Sequence, residues 1–385
     1  MNERPLRILL ADPHQRGGGQ VRYVAVLAAK FTAIGHQVSV ACRPQSILSS
    51  RARQSGCAVH DDFHFRSGLH IKPWYSDIMA ARRLIAAERP DIVHVSASQD
   101  HWAFAFANYL LGSPAAVVRT RHNTYRVSDS WPNRLLNKGW TDYQIVVCET
   151  VRAELARSPV FDPARMQTIH NGVDARLYGP DPPTRARIRS ALGYNDAHVV
   201  CGIAARLTPA KGHQYLLRAV ALLHAGLPAL RVLILGEGAL RKELEQLARD
   251  LGVASITTFA GYREDMPAYT QTFDVSVMPS IDCDTSSFSL KESMAAEKPV
   301  IASDYGGLTE IVTDGVEGYV VPAGTVEPLA QRIGQLAKDP DRRATMGRAA
   351  RARVVRDFTV ETFAARTLNV YRETLRLHNE RAAHR

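Results

Sequence analysis

Short apolar runs rich in β-branched residues alternate with helix-periodic segments along most of the chain. Residues 6–11 form the first such run, and a glycine cluster and a helical pattern ending at Gly35 lead to the next, residues 37–41. Because strand–helix–strand order is typical of a parallel crossover, the alternation predicts a doubly wound α/β fold. Further strands are predicted at residues 91–95, 115–119 and 144–147.

A proline-rich segment, ARLYGPDPPT at residues 175–184, interrupts the alternation, which then restarts. A chain of 385 residues is also too long for one ordinary core. We therefore predict two Rossmann-like domains facing each other across a cleft, with ligands at the carboxyl ends of the strands. The predicted bounds are residues 1–175, a linker at 176–195, residues 196–356, and a C-terminal helix with a basic tail at 357–385.

Composition excludes several classes of protein. No window approaches 18 uninterrupted apolar residues, so a transmembrane helix is not predicted. The apolar run near the N-terminus is too short for a signal peptide and predicts a strand instead. Five cysteines without a C-x-x-C spacing favour reduced thiols in a cytoplasmic protein.

The net charge of +10 is concentrated at the C-terminus, where the last 45 residues hold 11 Lys or Arg against 5 Asp or Glu. One interpretation is a solvated basic helix face. The other is attraction to an anionic membrane surface, which would make the protein peripheral at the inner face of the membrane, or to an acidic glycan. No recognised nucleic-acid-binding motif is present, so nucleic acid is not a predicted partner.

Gly17, Gly18 and Gly19 follow the first predicted strand and precede a helix. Such a loop lets the backbone approach a ligand at a helix N-terminus, although a tight turn without a ligand has the same pattern. It is not a G-x-G-x-x-G motif. The other glycine pair, Gly236 and Gly238, has Arg241 where the third glycine belongs, so a nicotinamide cofactor is not favoured.

Arg206 and Lys211 lie between a predicted strand and a predicted helix, in the stretch AARLTPAKGH. A forked guanidinium and a point-charge ammonium beside a helix N-terminus suit a diphosphate group. Exposed charges without a ligand are the alternative.

The stretch DCDTSSFSLKES, which begins at Asp282, allows two assignments. Asp282 and Asp284 form a D-x-D, which can hold a divalent ion beside phosphates. In the second assignment, Asp284 accepts hydrogen bonds from a sugar and Glu292, in the first helical turn, accepts them from a ribose. A phosphate then lies opposite the backbone amides of Ser287, Phe288, Ser289 and Leu290. Since Arg206 and Lys211 already supply positive charge, we favour the second assignment and predict no metal.

The motifs, taken in order, resemble the family-4 retaining glycosyltransferases of the GT-B fold over nearly the whole chain. The matching stretches are Gly18-Gly19 with Gly35-His36, the N-G-V-D turn at residues 171–174, Arg206 with Lys211-Gly212, Asp284 with Glu292, and Pro299-Val300 with Gly306-Gly307 and Glu310. The sequence departs from the family where Asp284 replaces a glutamate and where Ser287-Phe288-Ser289 replaces G-F-G.

The resemblance implies a metal-independent transferase without a cofactor, which moves a sugar from a UDP- or GDP-linked donor to a glycan or lipid-linked acceptor. It implies an N-terminal acceptor domain, a C-terminal donor domain, and cell-envelope polysaccharide or lipopolysaccharide as the product class. Arg206, Lys211, Asp284 and His122 are the catalytic candidates it implies, and His101 is a weaker one. Two other classes stay open: an epimerase or glycan phosphorylase of the same fold, and a non-catalytic relative that binds glycan or membrane.

Overall fold

A computed structural model of the chain describes residues 4–68, 70–123 and 126–383. The chain divides into two compact units, residues 1–171 with 360–385, and residues 172–359. Each unit is built around its own parallel β-sheet flanked by helices, as the alternation of the sequence predicts. The predicted α/β class is confirmed.

The first unit contains a seven-stranded sheet with the order β3-β2-β1-β4-β5-β6-β7, and every neighbouring pair is parallel. The two short edge strands, β3 and β7, have no counterpart in the sequence-based prediction. The strands are β1 Arg7–Asp12, β2 Gln37–Cys42, β3 Ala58–His60, β4 Ile92–Val95, β5 Ala116–Arg121, β6 Tyr143–Val146 and β7 Met166–Thr168.

Six helices of this unit lie between its strands in the chain. On one side of the sheet, Leu9 and Ala11 of β1 share a buried core with Ile78 and Phe104 from two of these helices. A π-helical turn, Leu135–Gly139, continues the fifth helix directly. The helices are α1 Gly19–Ala33, α2 Ile47–Gln54, α3 Ile71–Glu88, α4 Ser98–Leu110, α5 Trp131–Arg134 and α6 Glu149–Ala156.

The second unit contains a six-stranded sheet with the order β10-β9-β8-β11-β12-β13. Its strands are β8 Val199–Ala204, β9 Leu230–Leu235, β10 Thr257–Gly261, β11 Val275–Met278, β12 Val300–Ser303 and β13 Gly318–Val321. Its helices are α7 Pro182–Ala191, α8 His213–His224, α9 Arg241–Asp250, α10 Met266–Thr270, α11 Phe288–Ala295, α12 Leu308–Ile311, α13 Glu327–Lys338 and α14 Pro340–Asp357.

Helix α7 lies inside the segment expected as a linker at residues 176–195, and it belongs to the second unit. Its Arg185 and Arg189 both pair with Asp274, which begins the turn into β11 and also accepts a hydrogen bond from the amide of Val200 at 2.8 Å. Burial opposes ionisation of Asp274, but the two guanidinium groups lower its pKa below the ordinary value. The segment is therefore anchored to the second sheet by a buried ion-pair cluster.

The C-terminal helix, α15 Val360–Ala383, belongs to the first unit although it follows the second one in the chain. Its Phe363 and Tyr371 are buried. The Tyr371 hydroxyl hydrogen-bonds to Nδ1 of His94 at 2.6 Å, and Lys30 pairs with Glu361 at 2.9 Å. None of the described helices has a stretch both long enough and apolar enough to cross a membrane.

Both sheets change direction at their first strand. In the first unit β1 lies between β2 and β4, and in the second unit β8 lies between β9 and β11. Successive crossovers diverge at such a point and leave a crevice at the carboxyl ends of the strands, where α/β proteins bind ligands. A ligand site is therefore expected at the loops that follow β1, β4, β8 and β11.

Candidate active site

The loop after β8 carries Arg206 and Lys211 and is held against the loop after β11. Gly212 has a φ of 67°, and a Cβ at this position would overlap the carbonyl oxygen of Pro279. The Ile281 amide also donates a hydrogen bond to the Ala210 carbonyl at 2.8 Å. This close approach requires glycine and brings the two loops at the switch point of the second sheet together.

Lys211 and Asp284 form an ion pair across these loops. The Lys211 Nζ donates to Asp284 Oδ2 at 2.8 Å, and the hydroxyl of Ser280 donates to the same oxygen at 2.7 Å. The Asp284 side chain is only 5% exposed, and that of Lys211 is 18% exposed. Arg206, on the same loop, is exposed. The structure thus brings together the predicted lysine and aspartate, with the arginine at the solvent side of the loop.

The backbone of Asp284 is fixed by the loop after β12. The Gly307 amide donates to the Asp284 carbonyl at 3.2 Å. Gly306 has a φ of 58°, and a Cβ there would overlap that same carbonyl oxygen. The glycine pair noted in the sequence therefore positions Asp284 by close backbone contact.

Helix α11 begins at Phe288, and the sequence predicts a helix with Glu292 in its first turn. Ser287 caps it, because its hydroxyl oxygen accepts from the Leu290 amide at 3.2 Å. The Leu290 amide is thereby engaged by the cap, and the positive end of the helix dipole lies at this N-terminus. The start at Phe288 places Glu292 in the second turn of the helix, where it is buried.

Lys291 is a buried cation of this region that the sequence analysis did not identify. It has no exposed surface, its Nζ donates to the Ser286 hydroxyl at 2.9 Å, and it lies 5.2 Å from the ring centroid of Phe358. In the sequence, Lys291 is adjacent to Glu292 in the predicted helix. Adjacent charged residues are also common at exposed helix positions, so this pattern does not predict burial. The burial of Lys291 adds positive charge beneath the Ser286–Ser287 loop.

Asp282 and Asp284 do not converge as a D-x-D metal site would require. Asp282 is exposed, and its Oδ1 accepts from the Tyr305 hydroxyl at 2.9 Å, a bond that lowers the pKa of the Asp282 carboxyl. Asp284 turns its Oδ2 to Lys211 instead. Across residues 4–68, 70–123 and 126–383, no three or more His, Cys, Asp or Glu side chains cluster as a metal site.

In the first unit, the glycine loop lies after β1 at the switch point of that sheet. Gly19 is the first residue of α1, and Gly18, its N-cap, has extended backbone with open space where a Cβ would be. The side chain of Gln20 donates to buried Asp12 at 2.8 Å and ties the start of the helix to the end of β1. No packing contact requires glycine at Gly18, so its small size leaves room beside the helix N-terminus.

His122 follows β5 and meets the edge of the Tyr23 ring at a centroid distance of 4.7 Å. Burial and nearby Arg119 lower the pKa of His122 well below its usual value, so the imidazole is neutral at pH 7. His101 lies within α4, is buried, and hydrogen-bonds to the Thr141 hydroxyl at 2.7 Å. Of the two histidines, His122 lies at the carboxyl end of a strand, where a ligand site is expected.

A buried charge cluster at the same switch point was also absent from the sequence-based candidates. Arg119 of β5 lies 3.8 Å from Asp100 of α4 and donates to the Ala97 carbonyl. Burial raises the pKa of Asp100 to about 7, and Arg119 opposes that shift. Asp100 also accepts from the Ala97 amide at 2.8 Å, so it fixes the turn between β4 and α4.

Two family patterns match the chain, and they fall on its two halves. The pattern described as Glycosyl transferases group 1 matches residues 184–353. The pattern described as Glycosyltransferase Family 4 matches residues 17–177. Together they cover the glycine loop from Gly17 onward and the loops after β4, β5, β8, β11 and β12.

Individual relatives carry glycosyltransferase names. A GDP-mannose-dependent alpha-(1-6)-phosphatidylinositol monomannoside mannosyltransferase from Mycolicibacterium smegmatis is 29% identical over 314 residues, which is 77% of this chain and 82% of that protein. The putative glycosyltransferase EpsD of Bacillus subtilis is 33% identical over 56% of this chain. A D-inositol 3-phosphate glycosyltransferase of Kribbella flavida is 33% identical over 54% of it. The chain spans 57% and 51% of the lengths of the last two relatives.

Solved structures share the fold at low identity. A glycosyltransferase from Rickettsia africae superposes with a TM-score of 0.86 at 20% identity, covering 97% of this chain and 99% of that one. The Anabaena protein HepE in complex with UDP gives a TM-score of 0.83 at 21% identity, covering 96% and 100%. The two sheets, the ordered motifs and these matches agree, and the chain belongs to the group 1 glycosyl transferases with the GT-B fold.

Proposed function

We propose that this protein is a retaining, metal-independent glycosyltransferase that moves a sugar from a UDP- or GDP-linked donor to a hydroxyl of a glycan or lipid-linked acceptor of the cell envelope. The observation that carries the proposal is the gathering of Lys211, Asp284 and the α11 N-terminus at the switch point of the second sheet. Relatives named for GDP-mannose and a HepE complex with UDP-glucose support the donor class.

The chemistry requires stabilisation of a leaving diphosphate. The bond between the anomeric carbon and the donor phosphate oxygen breaks, and the acceptor oxygen bonds to that carbon on the same face. The acceptor proton passes to a donor phosphate oxygen, so no protein nucleophile is needed. Lys211, Arg206 and the N-terminal end of α11 provide positive charge that stabilises the developing charge of the diphosphate. Neutral His122 and the loop containing Gly18 and Gly19 are proposed to position the acceptor.

The direct test is release of nucleotide diphosphate from UDP- or GDP-sugars, measured with and without an acceptor. Transfer predicts release that depends on a lipid-linked or free glycan acceptor, and an anomeric proton signal showing that donor configuration is kept. A converted sugar nucleotide without acceptor would instead indicate an epimerase. Failure to bind UDP, GDP or ADP by calorimetry would indicate a non-catalytic relative.

Metal independence gives a separate expected result. Because Lys211 and Arg206 provide cations beside the predicted diphosphate position, activity should persist in excess EDTA at an unchanged rate. The measurement is turnover before and after chelation, with Mg²⁺ and Mn²⁺ added back in turn. Loss of activity that either ion restores would contradict the proposal. It would favour the alternative in which Asp282 and Asp284 hold a divalent metal ion.

Neutralising Asp284 and neutralising Glu292 are expected to have different effects on nucleotide affinity and turnover. Asp284→Asn releases Lys211 from its ion pair, so affinity for free nucleotide diphosphate should stay equal or rise. Its turnover with the sugar donor should fall about tenfold or more, because a bond to a charged group contributes about 1.5–3 kcal/mol. Glu292→Gln should weaken both free nucleotide and full donor, because the ribose occurs in both.

Calorimetry with nucleotide alone and kinetics with the full donor separate these two effects. Glu243→Gln is a charge-matched control, because Glu243 is exposed in α9 and is not part of the candidate site. An equal loss of free-nucleotide affinity in the Asp284 and Glu292 variants would disprove the division of roles.

A further inference from the structure

Large apolar side chains are exposed in unusual number on one part of the first unit. Among the described residues, 14 large apolar side chains are exposed, and seven of these lie in three short segments. Trp131 is 76% exposed and Ile71 is 73% exposed. The seven are Ile71, Trp74, Tyr75, Tyr109, Leu110, Trp131 and Leu135. Contiguous exposed apolar surface of this kind usually marks an interaction site.

Contacts between aromatic rings join the α3 segment to the α4 segment. They also include Trp140, which directly follows the α5 segment and its π-helical turn. Trp74 of α3 stacks on Phe106 of α4 at a centroid distance of 6.3 Å. Tyr109 of α4 stacks on Trp140 at 5.0 Å, and Phe106 contacts Trp140 at 5.3 Å. Trp140 is linked to α5 in turn, because its amide donates to the Leu135 carbonyl at 3.0 Å.

The third segment presents its apolar residues along one side of a helix. Trp131 and Leu135 are four positions apart in the continuous helix formed by α5 and the π-helical turn, so they share one face. Leu136, the next residue, is buried against Ala105 and Val117. We call this combined surface the aromatic face; it comprises Ile71, Trp74, Tyr75, Phe106, Tyr109, Leu110, Trp131, Leu135 and Trp140.

The charges within the segments of the aromatic face are positive. Residues 66–76, 102–112 and 130–140, which contain it, include no Asp or Glu. They include Arg66, Lys72, Arg134 and Lys138, all exposed. Arg134 pairs with Asp129 at 2.6 Å, so the other three carry most of the local positive charge.

We propose that the aromatic face docks this protein on an anionic lipid bilayer. Trp and Tyr rings favour the boundary between water and acyl chains, where an apolar body and a polar edge are both satisfied. Lysine and arginine beside them attract anionic headgroups, and the exposed carboxylate of Asp129 near Trp131 is balanced by its ion pair with Arg134. This inference goes beyond the proposed function and does not depend on the donor chemistry of the second unit.

The same proposal reassigns the membrane contact expected from the basic C-terminal tail. In α15, Arg376 pairs with both Glu373 and Glu380 at 2.6 Å, and Arg381 lies 3.4 Å from Asp142. Part of the tail's positive charge is therefore balanced within the protein. The aromatic face combines cations with exposed large apolar side chains, and α15 has none of the latter among residues 360–381, whose side chains are described.

Tryptophan fluorescence provides a direct readout, because the chain has four tryptophans and all of them belong to the aromatic face or contact it. The full chain is mixed with phosphatidylcholine vesicles containing about a third phosphatidylglycerol, with and without brominated acyl chains. We expect a blue shift and quenching by the brominated lipid. Pure phosphatidylcholine vesicles should bind at least tenfold more weakly, as should anionic vesicles when salt is raised from low to physiological levels.

Three variants locate the contact by co-sedimentation. Trp131→Ser with Tyr75→Ser should lower vesicle affinity tenfold or more, and Lys72→Glu with Lys138→Glu should do the same at low salt. Leu222→Ser with Tyr262→Ser is the matched control, because these side chains are 61% and 64% exposed in the second unit, and should bind as the unchanged protein does. Unchanged melting temperature and nucleotide affinity confirm that each variant is folded.

Arg366→Glu with Arg372→Glu tests the tail on the same vesicles. The proposal expects these exposed substitutions to reduce binding less than the aromatic pair does. A larger loss from the tail variant would overturn the assignment to the aromatic face. Failure of the unchanged protein to bind anionic vesicles at low salt would overturn it entirely and would leave a protein partner as the occupant.

Discussion

Replacing Lys211 with alanine should lower turnover with the sugar donor by roughly a hundredfold to a thousandfold while the second unit stays folded. Loss of one preorganised charge that stabilises a developing anion typically costs about this much. Here the loss has a second part, because Asp284 would keep its buried negative charge without the ammonium group 2.8 Å away. That uncompensated carboxylate would then repel the donor diphosphate.

The same reasoning ranks the other variants. Arg206→Ala should lower turnover less, by roughly tenfold to a hundredfold, since Arg206 is exposed. The described contacts also pair Arg206 with no carboxylate, so its removal leaves no buried negative charge without a partner. Lys211→Ala combined with Asp284→Asn should be less impaired than the sum of the two single changes, because the pair is removed together. Lys242→Ala, at an exposed position of α9, is the charge-matched control. Full activity of Lys211→Ala at saturating donor would disprove the diphosphate assignment.

Replacing Tyr371 with alanine should destabilise the first unit by about 3–5 kcal/mol, the usual cost of removing a large buried aromatic side chain. Tyr371 has no exposed surface, and its ring lies 5.6 Å from that of Phe31 in α1. Its hydroxyl also satisfies Nδ1 of His94, whose other nitrogen bonds to Thr120 at 2.6 Å. Burial lowers the pKa of His94 to about 3, so this histidine is neutral and needs both partners.

Urea unfolding followed by circular dichroism measures this effect. Tyr371→Phe should cost about 1–3 kcal/mol, because it keeps the ring but leaves one nitrogen of His94 unpaired in the core. Arg376→Ala, on the exposed side of the same helix, should change stability by no more than about 0.5 kcal/mol. A cost below about 1 kcal/mol for Tyr371→Ala would show that α15 is not part of the folded first unit in solution.

The sequence predicted the elements whose own residues carry the signal. Eleven of the 13 described strands were expected within one or two residues, since each is a buried apolar run between turn residues. The exceptions, β3 and β7, are edge strands of three residues, and β7 reads Met-Gln-Thr. At an edge one side of the strand is unpaired, so sequence composition is less constrained there.

Local capping explains the errors at helix starts. The segment around Asp181 suggested a linker because of its prolines, yet Asp181 accepts from the Thr184 amide and Pro182 occupies the first helical position. Aspartate followed by proline is a helix-start signal as well as a turn signal. Ser287 likewise caps α11, so the helix begins at Phe288 and Glu292 lies in the second turn instead of the predicted first turn.

The contacts of the candidate site could not be predicted at the same level. Arg206, Lys211, Asp284 and Glu292 were identified from their motifs, but the ion pair between Lys211 and Asp284 joins residues 73 positions apart. Its existence depends on strand order, which places the β8 and β11 loops side by side. Buried Lys291 and the cluster of Asp100 with Arg119 depend in the same way on tertiary packing, because charged residues give the same pattern at the surface.

The position of α15 has a consequence for biosynthesis. A ribosome delivers residues 1–171 first, and these include every strand of the first sheet, but the helix that covers Phe31 and His94 emerges only after the whole of residues 172–359. At about 5–20 residues per second, that interval is roughly 10 to 40 s. During it the nascent first unit exposes an apolar groove that a chaperone can occupy, while the second unit, contiguous in the chain, can complete its own fold. The segment that completes the first unit is therefore translated after the whole of the second unit.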